Sequence, residues 1–164
     1  MLPDMEWVSN SAAYSIDGKV LKLVDKIYGK HRTICKPSFS LQGVYYFQIL
    51  LKQTAKSGLS IGCAFLLEGK TEPESERYIR IDTQFGRLIS RGTETLLSGD
   101  WFPLLSGGVV SILVDINRRE INFSVNGKLI CGPVSLDLKP DERIEQLHPA
   151  CSLVYEGDIL EIIN

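Results

Sequence analysis

The sequence predicts an all-β chain folded as a two-layer antiparallel β-sandwich, and three observations carry that prediction. Apolar residues recur at a period of two rather than 3.6, and apolar runs are short and end at Gly, Asn, Asp or Pro. Only Asp141 to Leu147 has a helical pattern, long enough for a turn or two. Many short strands joined by turns need two packed layers, because one sheet of that size would leave an apolar face in water.

The elements follow in order. Val44 to Leu51 is rich in aromatic and branched residues, and Leu59 to Leu66 repeats the pattern after the turn-like Lys56, Ser57 and Gly58, which predicts a hairpin. Tyr78 to Asp82 and Phe85 to Ser90 are shorter strands, and Gly92, Gly99, Gly107 and Gly108 predict loops between and after them. The strongest local signal is a three-stranded meander: Val109 to Ile116, Ile121 to Val125, then Lys128 to Cys131. Asn117, Arg118 and Arg119 make its first turn; Asn126 and Gly127 make its second, tolerating the positive φ angles of a type I′ turn. In the middle strand Ile121, Phe123 and Val125 alternate with Asn122 and Ser124, so one face is buried. The first strand is apolar on both faces except at Ser111 and Asp115, which predicts a central position. Ala150 to Tyr155 and Ile159 to Ile163 flank Glu156, Gly157 and Asp158 as a closing hairpin.

A chain of 164 residues is the size of one domain, and no repeat, low-complexity tract or linker divides it; one domain over 1–164 is predicted. Apolar residues make up 44% and charged residues 23%, which excludes disorder and a helical membrane protein. With a net charge of -2 and a pI near 5.7 there is no basic excess to draw the chain onto phosphate backbones, so nucleic acid and membranes are not expected partners. Met1 to Asn10 contains Asp4 and Glu6 and no apolar run of signal-peptide length, so export is not expected. Cys35, Cys63, Cys131 and Cys151 show no close pairing and read as reduced thiols, with a disulfide as the alternative. Reduced thiols place the chain in the cytoplasm or nucleus. The sequon Asn122, Phe123, Ser124 lies inside a strand pattern rather than a loop.

Catalytic patterns fail on context. Gly58 to Gly62 spells G-x-S-x-G, but Cys63 to Leu67 reads as a strand where a nucleophile elbow requires a helix. His31 and Cys35 are four residues apart but outside a helix, and that spacing does not give the geometry that would join a base to a thiolate. His148 before Pro149 reads as a packed, hydrogen-bonded ring, and two distant histidines without a close cysteine pair exclude a zinc site. Glu156, Asp158 and Glu161 read as a solvated hairpin end, not as two carboxylates facing each other across a groove. Arg77, Arg80, Arg87 and Arg91, interleaved with Tyr78 and Phe85, fit the exposed side of a strand at least as well as a phosphate surface. No catalytic residue, metal or cofactor is assigned.

Three segments resemble the SPRY domain family, whose fold is a concanavalin-like, jelly-roll bent sandwich. GVYYFQI, Gly43 to Ile49, followed by LSIGCAF, Leu59 to Phe65, is similar to the family's Gly, aromatic pair and Ile-Gly strand. VSILVDINRREINFSVNG, Val110 to Gly127, resembles its run through a Leu-Asp pair, a turn and an aromatic strand to Asn-Gly, and LHPACSL, Leu147 to Leu153, its Pro-Ala strand. The match extends from Gly43 to Ile163 in the family's order, and ahead of it Trp7 and the Asp17, Gly18 turn are compatible with the leading strands that the resemblance implies.

The resemblance implies a non-enzymatic module that binds a short peptide or a folded protein through loops at one end of the sandwich. It implies no small-molecule substrate, and a role as adaptor or as the substrate-recognition part of a larger assembly such as a ubiquitin ligase. Trp101 and Phe102, between Asp100 and Pro103 in a Gly-rich loop, are the first anchor candidates, with a plug at the end of the core as the alternative. Tyr78, Arg80 and Arg87 come next, with His31 and Arg32. Arg118 and Arg119 read as turn residues in water. A carbohydrate-binding, lectin-like sandwich is the alternative function, followed by a hydrolase on the same architecture.

Overall fold

Period-two alternation governs the molecule from its first strand, β1 (Glu6–Val8), where buried Trp7 lies between exposed Glu6 and Val8. The computed structural model describes residues 4–9, 13–25, 32–36, 43–54, 59–67, 78–83, 86–90, 93–97, 106–153 and 155–163. Among these residues every regular element is a strand.

The strands form two seven-stranded sheets. One runs β1, β4 (Arg32–Lys36), β13 (Ile144–Ser152), β6 (Ser60–Leu67), β7 (Tyr78–Asp82), β8 (Arg87–Ser90) and β9 (Thr93–Leu96). The other runs β12 (Lys128–Ser135), β11 (Glu120–Val125), β10 (Val109–Asp115), β5 (Val44–Gln53), β14 (Ile159–Ile162), β3 (Val20–Leu23) and β2 (Tyr14–Asp17). All neighbours are antiparallel. Ile61, Phe65, Ile79 and Ile81 from the first sheet meet Leu21, Phe47, Ile49, Ile112, Ile121 and Phe123 from the second in one fully buried cluster. Each such side chain contributes roughly 1.5–3 kcal/mol by leaving water, which makes this seam the main source of stability. The two-layer sandwich expected from the sequence is the fold.

The predicted meander is present. β10 sits between β5 and β11, and Ile112 faces Phe47 on one side and Phe123 on the other. Asn126 and Gly127 have φ of 49° and 82°, as a type I′ turn requires. Asn126 also ties the turn to the start of β10, donating from its N–H to the Val109 carbonyl at 2.9 Å and accepting the Val109 N–H on Oδ1 at 2.8 Å. Asp17 and Gly18 begin the turn between β2 and β3, as expected.

Three expectations are corrected. Val44 to Leu51 and Leu59 to Leu66 do not form a hairpin: β5 is flanked by β10 and β14 in one sheet, β6 by β13 and β7 in the other. The pair at the end of the chain fails in the same way, since β13 and β14 lie in opposite sheets. In both cases consecutive strands run in opposite directions but in different layers, so each packs its apolar face across the sandwich instead of pairing with its sequence neighbour. The segment Asp141 to Leu147 is not helical; Ile144 opens β13 opposite Leu67, and Leu147 is buried opposite Phe65. Pairing with β6 outweighs a weak local preference.

Strand direction sorts the connections to two rims. At one rim lie the Ser152 end of β13, Ser60, the Asp82 to Arg87 turn, Leu96, Arg32, Gln53, Val109 and the Asn126–Gly127 turn. At the other lie the Ile144 end of β13, Leu67, Val44, the turn from Asp115 to Glu120 and Ser135.

Candidate functional site

The anchor candidates from the sequence gather unevenly. Trp101, Phe102 and His31 lie outside the described residues. The residues that flank the segment carrying Trp101 and Phe102 are held at the first rim: Leu97 donates its N–H to the Gly86 carbonyl at 2.8 Å, and the Ser106 hydroxyl accepts the Thr54 N–H at 2.9 Å. Arg32 begins β4 at the same rim, opposite Ser152. Arg87 begins β8 there as well, half-buried, with Nη1 3.2 Å from Glu94 Oε2 on β9. So Arg87, the start of β4 and both ends of the 98–105 segment share one end of the sandwich.

Tyr78 and Arg80 lie elsewhere. Both are on the outward side of β7, because the residues alternating with them, Ile79 and Ile81, point into the core. Tyr78 is only 7% exposed and packs with Ala64 and Ala150, with Ile34 against them. Arg80 is half-buried opposite Gly62.

The first rim also holds a buried carboxylate that sequence reasoning placed in solvent. Asp158 is fully buried and accepts the Tyr155 N–H on Oδ2 at 3.3 Å, while the Asp158 N–H donates to the Tyr155 carbonyl at 3.1 Å. Leu23 closes on the same turn, donating to the Asp158 carbonyl at 3.0 Å and accepting from Gly157 at 2.8 Å. Asp158 is thus the residue that builds the bend from β13 into β14. Glu156 is exposed, and Glu161 pairs with Lys52 at 3.3 Å, so the three acids serve separate purposes. An acid three residues after the start of a reversal, able to cap its own turn, was the available signal.

The titratable groups of the core are held away from reactivity. The four cysteines are free. Burial pushes the Cys63 thiol up to about 12 and raises those of Cys35 and Cys151 further, with the Cys151 sulfur adding to the effect at Cys35. A buried thiol that stays protonated is neither nucleophile nor metal ligand. His148, 3% exposed, hydrogen-bonds through Nδ1 to the Cys35 carbonyl at 2.8 Å and through Nε2 to Gln146 Oε1 at 3.1 Å. A carbonyl only accepts, so Nδ1 carries a proton, and the ring is the packed, bonded histidine that the sequence predicted. Desolvation lowers its pKa, Lys36 lowers it further, and the bond to Cys35 opposes both. Ser60 stands at the first position of β6, paired with Ser152 and Asp82, in a strand rather than an elbow. Among the described residues no group of three His, Cys, Asp or Glu could hold a metal ion, and no helix is long and apolar enough to cross a membrane.

No family model and no curated protein matches the sequence. Solved structures do match by shape. The SPRY domain of human HERC1 superposes with a TM-score of 0.66 at 19% identity, over 90% of this chain and 89% of that one. A second human SPRY domain gives a TM-score of 0.63 at 13% identity, over 92% of this chain and 94% of the other. The chain therefore has the SPRY-domain fold.

Proposed function

We propose that this protein is a non-enzymatic recognition module that holds a short peptide or a folded protein with the loops of the first rim. The observation that carries this reading is the convergence there of Arg87, Arg32 and both flanks of the 98–105 segment on connections anchored to a buried seam. Loops mounted on a packed sandwich lose little entropy on binding, so one or two aromatic or Arg anchors suffice for useful affinity. The shared SPRY fold supports the same reading, as it does an adaptor or substrate-recognition role, such as in a ubiquitin ligase, within a larger assembly. The free thiols support a cytoplasmic or nuclear setting.

The test is affinity capture with wild type, Trp101→Ala and a Trp101→Ala, Arg87→Ala double variant, read by quantitative mass spectrometry beside thermal melting. The expected result is loss of a specific set of captured proteins with the melting temperature kept. A large fall in melting temperature with capture unchanged would make Trp101 a core plug instead.

A further inference from the structure

At the second rim, the β10–β11 turn and the connection from β12 to β13 enclose a groove of about 330 Å³. Ile116, Leu138, Pro140 and Ile144 line it together with Arg119, Glu142 and Arg143, and its surface is more polar than apolar. Its frame is fixed by backbone: Leu136 donates to the Arg119 carbonyl at 2.9 Å and Ile116 to the Gly43 carbonyl at 3.0 Å. The Ser90 hydroxyl, 3.1 Å from Asp137 Oδ2, ties the connection to the first sheet.

The charge in this groove is unbalanced. Glu142, its one lining carboxylate, is already engaged in closing the turn: its Oε1 accepts the Lys139 N–H at 3.0 Å, and its own N–H donates to the Lys139 carbonyl at 3.0 Å. Arg119 reaches only the Lys139 carbonyl, at 3.4 Å, near the limit of a hydrogen bond. Arg143 is exposed and has neither hydrogen bond nor ion pair among the described residues. Two guanidinium groups without a carboxylate partner, with Leu138 and Ile144 lining the same groove, match a ligand that is anionic first and carries an apolar group within a few ångströms.

We infer that this groove is a second docking site, and that it takes an acidic peptide segment in which Asp or Glu adjoins an aliphatic or aromatic residue. The carboxylate meets Arg119 and Arg143, whose planar forks suit it, and the neighbouring side chain packs on Leu138 and Ile144. The site lies at the end of the sandwich remote from the loops assigned to partner binding above, and does not depend on that assignment.

The experiment is selection of short random peptides displayed on phage against the immobilised chain, with counter-selection on an Arg119→Gln, Arg143→Gln double variant. Enriched peptides are expected to carry Asp or Glu next to Leu, Ile or Phe. As synthetic peptides they are expected to lose at least about tenfold in affinity against the double variant, or when their acid is changed to the amide. Binding weakens as salt rises from about 0.05 to 0.5 M. Arg143→Gln alone, at an exposed side chain with no hydrogen bond or ion pair among the described residues, keeps the melting temperature and shows much of the loss. Trp101→Ala binds the same peptides as wild type does, which separates this site from the first rim. Failure to enrich any peptide, enrichment of peptides lacking acids, or equal binding by the double variant would overturn the inference.

Discussion

Gly62 on β6 and Arg80 on β7 face each other so closely that a methyl group on Gly62 would lie 2.6 Å from the Arg80 Cα. The obstacle is backbone, which cannot swing aside as a side chain can. Gly62→Ala is expected to force β7 outward and to cost at least about 2 kcal/mol, lowering the melting temperature by roughly 4–8 °C. Thermal melting by circular dichroism reads this directly, and an unchanged melting temperature would show that the two strands can part at that point.

Phe47 is buried completely between β14 and β10, facing Ile112, at the centre of the seam. Phe47→Ala leaves a cavity lined by both sheets and is expected to cost about 3–5 kcal/mol, a large share of the 5–15 kcal/mol typical of a whole domain. Urea denaturation followed by tryptophan fluorescence gives the value.

His148 makes stability depend on pH. Its folded-state pKa lies below the ordinary 6.5, chiefly because burial disfavours the imidazolium. The unfolded chain therefore takes up the proton first, so this contribution is fully present above pH 6.5 and declines as pH falls below it. His148→Asn keeps a donor for the Cys35 carbonyl and removes the titration. Urea midpoints measured between about pH 5 and pH 8 should slope less in the variant than in wild type.

The cysteines should divide by burial. Cys35, Cys63 and Cys151 are buried with raised thiol pKa values, while Cys131 on edge strand β12 is half-buried and its pKa is raised by partial burial. Exposure to N-ethylmaleimide under native conditions is expected to modify Cys131 first and the other three only after unfolding in urea, as read by intact and peptide mass spectrometry. Early modification of Cys63 would mean that β6 opens readily.

Much of the candidate site was legible only in part. Arg87 could be placed because its strand signal was local, whereas Trp101 and Phe102 lie outside the described residues. Tyr78 was indistinguishable in sequence from an exposed aromatic, because its cover, Ala64 and Ala150, comes from strands far away in the chain. Asp158 read as a solvated turn residue, since nothing nearby announces that Leu23 closes over it. Arg119 and Arg143 are separated by β11 and β12 in sequence, and only the return of the chain to Ile144 puts them on one groove.

By itself the sequence determined the all-β class, the meander from Val109 to Cys131, the type I′ turn at Asn126 and Gly127, and the alternation that sends Ile121 and Phe123 inward. These are short-range properties: side-chain period, turn chemistry and branching act within a few residues. The tertiary structure alone decided that β5 and β6, and likewise β13 and β14, part into opposite sheets, and that Ile144 extends a strand rather than a helix. Those choices turn on which distant apolar faces meet, and a face becomes a partner only when both sheets exist.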